Sequence, residues 1–422
     1  MFRQARVPKF WAVRAEAGRV ADPLPHKTIK GLHHVEVVSP NVRRRRVRRI
    51  IVSLAVVLLL LVTGGVFGVG WYYSGQLLDP VNARPGYPDT VLDRAGTAEQ
   101  PSVTLAESRV TALPGTWGLR WDGGSARLGQ VRSRKDGKVE RALLAGTPPP
   151  SGTKVRMETT VWDGDPREAH GLDFTDVRIL TDMGDAPAWF VPGSGSTWVV
   201  AVHGRGGSRA ESLRVLPQLH ERGLPVLSVT YRNDRGAPAS PDGLYHLGDT
   251  EWRDVEAAIR YAQGQGAQHV VLYAWSMGGA IAGQLLARSA LAPSISGVVL
   301  DAPVTSWTKT LELQSSNRGV PTALVPVAEL VSHWRTDIDF DRFDLVDHPP
   351  AIKPPTLVFH GSADGTVPVQ SSRDLAAAAA RLQWPLQYVE VPGAEHTAAW
   401  NVDPDGYRRE LDDFLGRTTR PS

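Results

Sequence analysis

Residues 269–279 read His-Val-Val-Leu-Tyr-Ala-Trp-Ser-Met-Gly-Gly, and the reading of this stretch decides the fold. Val270–Ala274 is a continuous apolar run, the pattern of a strand buried on both faces of a parallel sheet. Gly278, Gly279 and Ala280 then open a helical pattern that continues through Ile281, Leu285 and Leu286. Strand, sharp turn with Ser276 at its apex, small residues, helix: this is the layout of a nucleophile elbow. The helix must fold tightly back on the strand, so the positions two before and two after the serine must be small. Ala274 and Gly278 occupy them, with Ala274 standing where the usual G-x-S-x-G pattern has glycine. Five residues alone also fit a buried serine in a glycine-rich turn, so partners elsewhere in the chain must decide.

Around this stretch, apolar runs and helical patterns alternate from residue 171 to the end. Strands are expected at Val177–Thr181, Ala188–Val191, Trp198–His203, Val226–Tyr231, Val270–Ala274, Val298–Leu300, Thr356–His360 and Gln387–Val391. Helices are expected at 208–222, 249–263, 277–290, 369–382 and 404–416. Alternating β and α elements predict an α/β fold with a doubly wound, mainly parallel, eight-stranded sheet. Ligands in such sheets bind at the carboxyl ends of the strands.

Three further motifs fall at such ends. His203-Gly204-Arg205-Gly206-Gly207 follows the strand at 198–202. Acyl transfer needs two preset N–H donors for the tetrahedral oxyanion, and a glycine-rich loop brings backbone amides close to a substrate. With Ser276 as nucleophile, the donors expected are the amides of Met277 and Arg205; His203 itself reads as a structural hydrogen-bonding residue. Phosphate binding would call for G-x-x-x-x-G-K-[ST], which is not there. The second motif is His360-Gly361-Ser362-Ala363-Asp364-Gly365-Thr366-Val367-Pro368, where Asp364 can orient a histidine. Asp301, ending the strand at 298–300, is the rival acid. The third is Pro392-Gly393-Ala394-Glu395-His396-Thr397, with His396 as general base. The order Ser, Asp, His is the order of a hydrolase triad.

On these residues, 171–422 resembles the α/β-hydrolase superfamily, and especially its prolyl-oligopeptidase-like and serine-aminopeptidase-like branches, through H-G-x-G-G, S-x-G-G, G-x-x-D-x-x-V-P and G-x-x-H. The resemblance implies Ser276 as nucleophile, Asp364 as orienting acid and His396 as base. It also implies that Tyr231–Asp234 lies in a loop near the site, and that residues of about 303–353 form a cap, here a short one. Trp275, Trp307 and Trp400 flank motif positions, where they either wall an acyl pocket or belong to the core.

The amino-terminal third carries a different message. The chain has a formal net charge of +3, but residues 1–49 hold thirteen Lys/Arg against three acids, so the remainder is −7. The basic surplus therefore belongs to an arm, not to a nucleic-acid-binding body. Residues 1–49 are expected to form a mostly disordered, cytoplasmic arm. Arg43–Arg49 borders residues 50–78, which carry no charged side chain. About 20 apolar residues at 1.5 Å each cross a hydrocarbon core of about 30 Å, which predicts a transmembrane helix over 50–73. The basic cluster predicts a cytoplasmic amino terminus and an extracytoplasmic body, with Trp71, Tyr72 and Tyr73 at the outer interface. A cleaved signal peptide is the rival. Residues 74–170 read as a stalk, Asp79–Gln100, followed by a small β-rich region in which Asp136-Gly137 marks a tight hairpin. The absence of cysteine excludes disulfides, thiolate metal sites and a cysteine nucleophile.

The combined expectation is a membrane-anchored serine hydrolase acting on a small-molecule acyl substrate. A carboxylic ester or thioester is favoured; a peptide bond, acyl transfer, or a non-catalytic surface role are the alternatives. The chemistry calls for no metal or organic cofactor, and no nucleic-acid partner is expected.

Overall fold

The computed structural model describes residues 40–81, 86–97 and 99–419. The chain falls into two units, Met1–Leu60 and Leu61–Ser422. Residues 1–39 of the expected basic arm lie outside the described residues. Helix α1 runs Pro40–Leu78, beginning ten residues before the predicted span and ending five after it. The arginine run therefore continues the helix, as a good helix former should. Among the described residues α1 is the one helix long and apolar enough to cross a membrane. Ile50–Val62 carries large apolar side chains that are exposed among the described residues.

The second unit begins with the carboxyl-terminal turns of α1 and continues into a six-stranded antiparallel barrel. Its strands are β1 Asp89–Gly96, β2 Pro101–Ala106, β3 Trp117–Trp121, β4 Gly124–Lys135, β5 Lys138–Ala145 and β6 Lys154–Glu158, closed in the order β1-β2-β5-β4-β3-β6. The expected stalk is corrected here: Asp89–Gly96 is a strand, because Val91 is buried in the barrel while Asp93 and Arg94 face out. Its Asp and Gly content hides that short alternation. Asp136 and Gly137, both at positive φ, make the β4–β5 turn that their sequence predicts. Val103, Leu105, Leu119, Leu128, Val139 and Val155 fill the interior.

The body follows. Its strands are β7 Thr175–Thr181, β8 Gly184–Val191, β9 Thr197–Val202, β10 Val226–Val229, β11 His269–Trp275, β12 Ile295–Asp301, β13 Thr356–Gly361 and β14 Leu386–Val391. They form one sheet ordered β14-β13-β12-β11-β9-β10-β8-β7. Only β8 runs against the others, pairing antiparallel with both β7 and β10. After α2 (Pro166–His170), the helices are α3 Leu216–Glu221, α4 Trp252–Gly264, α5 Met277–Arg288, α6 Trp307–Asn317, α7 Val325–Thr336, α8 Val369–Ala378, α9 Ala399–Val402 and α10 Pro404–Thr418. The helix expected over 208–222 is split, a 3₁₀ turn at Arg209–Arg214 giving way to α3, where Pro217 sits in the first turn and needs no donor. Helices α6 and α7 form the cap.

Barrel and body share one apolar cluster: Val103, Leu119 and Leu128 belong with Val199, Tyr273 and Phe359. Their seam is stitched by Asn401, fully buried, whose amide donates to the carbonyls of Thr116 (2.8 Å) and Thr159 (3.0 Å) and whose carbonyl accepts from Arg214 (3.1 Å). Its backbone carbonyl takes the Thr116 amide at 2.8 Å. Removing the side chain leaves buried groups on both sides without partners. Asn401→Ala should therefore lower the stability of the body by about 2–4 kcal/mol, read as a drop in Tm, whereas the exposed Asp405→Ala should leave Tm nearly unchanged.

Candidate active site

The site is built at the carboxyl ends of β9, β11, β13 and β14, on one edge of the sheet. Ser276 leaves β11 at φ 52°, ψ −118°, a conformation that L-residues rarely adopt. Its amide donates to the Asp301 carbonyl at 3.0 Å, and its carbonyl accepts from Gly279 (2.9 Å) and Val304 (3.0 Å). The tightness of this turn explains its small neighbours. A Cβ on Gly278 would stand 2.4 Å from the Val202 carbonyl oxygen, and one on Gly204 would stand 2.9 Å from the Ser276 Cβ. Ala274, fully buried between β9 and β12, is accommodated.

Three side chains far apart in sequence meet here. The Ser276 hydroxyl lies 2.8 Å from His396 Nε2. His396 Nδ1 lies 2.8 Å from Asp364 Oδ2. The other Asp364 oxygen accepts from the amides of Thr366 (2.7 Å) and Val367 (2.9 Å). His360, fully buried, supplies a further donor: Nε2 lies 3.1 Å from Asp364 Oδ2, and Nδ1 accepts from the Ser372 hydroxyl at 2.7 Å. Burial would raise the Asp364 carboxyl, but hydrogen bonds from His360 and His396 outweigh it and hold the group well below the usual carboxylate range. Asp364 is thus an ionised acceptor for the His396 N–H, and the imidazole can take the serine proton.

Asp301, the rival acid, is placed elsewhere. One of its oxygens accepts from the Tyr407 hydroxyl at 3.1 Å; the other is buried without a partner. Burial pushes its pKa up to about 6, with Arg214 and Tyr407 pulling the other way.

The amides expected to bind an oxyanion belong to Met277 and Arg205, which lie on the two segments that meet at Ser276. Met277 is the first residue of α5, so its N–H has no acceptor within the helix. Arg205 sits in the turn closed by the Gly207 amide on the Gly204 carbonyl at 3.0 Å. Gly204, Arg205, Gly206 and Gly207 line a polar cavity of about 320 Å³ with Ser276 and His396. His203 lies behind this loop. Its Nδ1 is 2.8 Å from the Gly204 carbonyl and its Nε2 is 2.8 Å from Asp234. Both partners are acceptors; burial opposes the charged form of the ring, and the Asp234 carboxylate overcomes it and raises the pKa. The Tyr231–Asp234 loop therefore braces the oxyanion loop from behind, with the Tyr231 hydroxyl also on the Gly204 carbonyl at 2.9 Å.

Two supports were not foreseen from the sequence. Glu211 accepts the Gly204 amide at 3.0 Å and pairs with Arg214 at 3.2 Å. Arg214 in turn donates to the carbonyl of Thr397, the residue after His396. One partly buried ion pair thus ties the Gly204–Gly207 loop to the histidine loop. Neither residue carries a motif; His360, by contrast, opens the Asp364 motif and could have been named from it. Of the flanking tryptophans, Trp307 lines a cavity, while Trp275 is stacked on Tyr273 in the core and Trp400 packs on Trp162.

With the geometry in place, comparison with known proteins places the chain. Residues 217–420 match the model of the prolyl oligopeptidase family. The body is an α/β hydrolase. Residues 90–158, the barrel, match a domain of unknown function. The hydrolase is 24% identical over 268 residues to the uncharacterized protein YfhR of Escherichia coli K12, covering 62% of this chain and 85% of that one. A homologue in Salmonella typhi is 24% identical over 58% of this chain and 80% of its own. In structure the hydrolase is similar to the Pyrococcus furiosus esterase Pf2001, with TM-score 0.50 and 20% identity over 62% of this chain and 96% of that one, a likeness of fold.

The hydrolase has a second cavity, of about 360 Å³, on the other side of Ser276 and His396. It is mainly apolar, lined by Val304, Trp307, Leu311, Val325 and Ala328 of the cap region and by Tyr73 and Leu77 of α1. Both volumes suit small-molecule groups. Among the described residues no cluster of His, Cys, Asp and Glu is arranged to hold a metal ion.

The raised pKa of Asp301 has a measurable consequence. Its folded value, about 6, lies above the ordinary 3.8, so the folded state holds a proton that the unfolded chain has released. The stability this group contributes is intact below pH 3.8 and is lost as pH rises to about 6. The Tm of Asp301→Asn relative to wild type should accordingly rise between these pH values. A pH-independent difference would show that Asp301 is not held protonated.

Proposed function

We propose that the protein hydrolyses carboxylic esters through Ser276, His396 and Asp364. The observation that carries this reading is the unbroken chain of hydrogen bonds from the Ser276 hydroxyl through His396 to Asp364. Ser276 Oγ attacks the ester carbonyl as His396 Nε2 takes its proton. The oxyanion is held by the amides of Met277 and Arg205. Collapse breaks the bond from acyl carbon to alcohol oxygen, and His396 returns the proton to the departing alcohol. Water then adds to the acyl-enzyme, with its proton passing to His396 and on to Ser276, leaving a carboxylic acid.

The cavities favour an ester over an aminopeptidase substrate. An α-ammonium group needs a free carboxylate. Glu211 is the one acid lining either cavity, and it is engaged by Gly204 and Arg214. The apolar cavity suits the acyl part, and the polar one, with Thr159, Thr160 and Ser208, suits the alcohol. In the same reading α1 anchors the protein in the cell membrane, with Arg43–Arg49 on the cytoplasmic side and the body outside.

Ser276→Ala should abolish both turnover of p-nitrophenyl esters and covalent labelling by a fluorophosphonate, with the fold intact by circular dichroism. Asp364→Asn should reduce kcat by roughly 10⁴, and Asp301→Asn should not; turnover of aminoacyl-naphthylamides in preference to esters would shift the reading to a peptidase. For orientation, protease added to intact cells should digest the body and spare the amino terminus.

A further inference from the structure

The apolar cavity beside Ser276 is not closed by the cap alone. Tyr73, Gln76 and Leu77 of α1 form one of its walls, so the helix that would anchor the protein is also part of the substrate site. The attachment is built, not incidental. Leu78 is fully buried in the body's core, and its carbonyl accepts the Tyr245 amide at 2.8 Å. The Arg205 guanidinium donates to the carbonyls of Gln76 (3.0 Å), Leu77 (3.0 Å) and Asp79 (2.8 Å), capping the helix end from the loop whose amide faces the site. On the other side, Gly70 lets α7 come close: a Cβ there would stand 3.0 Å from Val327 and 3.1 Å from Val331.

Two rulers place this wall relative to a bilayer. About 20 apolar residues counted from Ile50 end near Val69; Tyr73 lies about 6 Å further, within the headgroup layer of about 5–8 Å, and Leu77 about 12 Å further, just beyond it. The aromatic residues agree: Phe67, Trp71 and the cap's Trp334 form an exposed cluster, with ring centroids 6.0 Å apart for Trp71–Trp334 and 6.2 Å for Phe67–Trp334. Trp334 is 68% exposed and its neighbour on the same helix face, Leu330, is 66% exposed. Among the described residues no surface covers them, and with Phe67 and Trp71 they continue the apolar face of α1. Helix α7 thus turns Val325 and Ala328 to the cavity and Leu330 and Trp334 toward the level of the lipids.

We infer that the substrate is a long-chain acyl ester resident in the outer leaflet, reached without leaving the membrane. Its acyl chain enters the apolar cavity between α1 and α7, which rests on the leaflet through Leu330 and Trp334. Its alcohol part occupies the polar cavity lined by Ser208, Thr159 and Thr160. The inference rests on the esterase and membrane-anchor readings above and adds the substrate class to them. The reaction is the hydrolysis already written, with a fatty acid and the de-acylated lipid as products.

The test uses the full-length protein reconstituted in dioleoylphosphatidylcholine vesicles, with p-nitrophenyl acetate as a water-soluble reference. Wild type should release oleate from the vesicles, and Ser276→Ala should not. Leu330→Asp should lower the ratio of vesicle to acetate hydrolysis by about tenfold. Ala328→Trp, which fills the cavity, should move the chain-length preference of p-nitrophenyl esters from decanoyl toward acetyl by a similar factor. Acetate turnover at Ser276 without oleate release, or an unchanged ratio in Leu330→Asp, would overturn the lipid assignment and leave the esterase standing. Failure to turn over either ester would overturn both.

Discussion

The site depends on one backbone constraint, the left-handed turn at Ser276. A non-glycine residue at φ 52° costs roughly 1–3 kcal/mol, and the fold must supply that from its surroundings. It does so from three sides. Strand β12 takes the serine amide, the loop after β12 donates to its carbonyl, and α5 begins in the next residue. The turn throws the hydroxyl clear of the sheet and leaves the Met277 amide unpaired beside it. It also forces Gly204 and Gly278 into backbone contact with their neighbours, which brings the β9 loop to the serine. Strain, the free amide after the serine and loop proximity are therefore one property, set by the way β11 passes into α5.

How much of this could be read from the chain alone follows from where the signals are local. All eight strands of the sheet carry apolar runs, and the sequence places each of them to within a few residues. The order Ser276, Asp364, His396 is likewise local information, three motifs each following a strand. What was hidden is collective. Closure of the barrel by Asp89–Gly96 depends on pairing with β2 and β6, which no run of eight mixed residues advertises. The Glu211–Arg214 pair matters only because the β9 and β14 loops come together, a consequence of sheet order. The early start of α1 reflects arginine's tolerance for helix, where charge had suggested an irregular arm.

The choice between Asp301 and Asp364 shows how environment divides two equivalent residues. Both end parallel strands, on β12 and just after β13. Asp364 collects two histidine donors and two backbone amides, so its charge is matched although it is buried. Asp301 has a single tyrosine hydroxyl and one orphaned oxygen, and burial raises its pKa to about 6. A carboxylate that is half protonated near that pH is a poor partner for an imidazole that must become charged. The turn Asp364-Gly365-Thr366-Val367 makes the difference, because it aims its own amides back at the carboxylate.

Helix α1 adds a coupling that an anchor on a flexible tether would not have. Its last turns are held by Leu78 in the core, by Gly70 against α7, and by Arg205 at its carboxyl end, where a cation is favoured by the helix dipole. Arg205 holds the helix with its side chain, while its backbone belongs to the loop that lines the polar cavity beside Ser276. A tilt of α1 that broke the three carbonyl contacts would release the loop that lines the polar cavity beside Ser276. The last turns of α1 and the loop beside Ser276 are therefore held as one piece, and the cavity they wall cannot change shape without disturbing both.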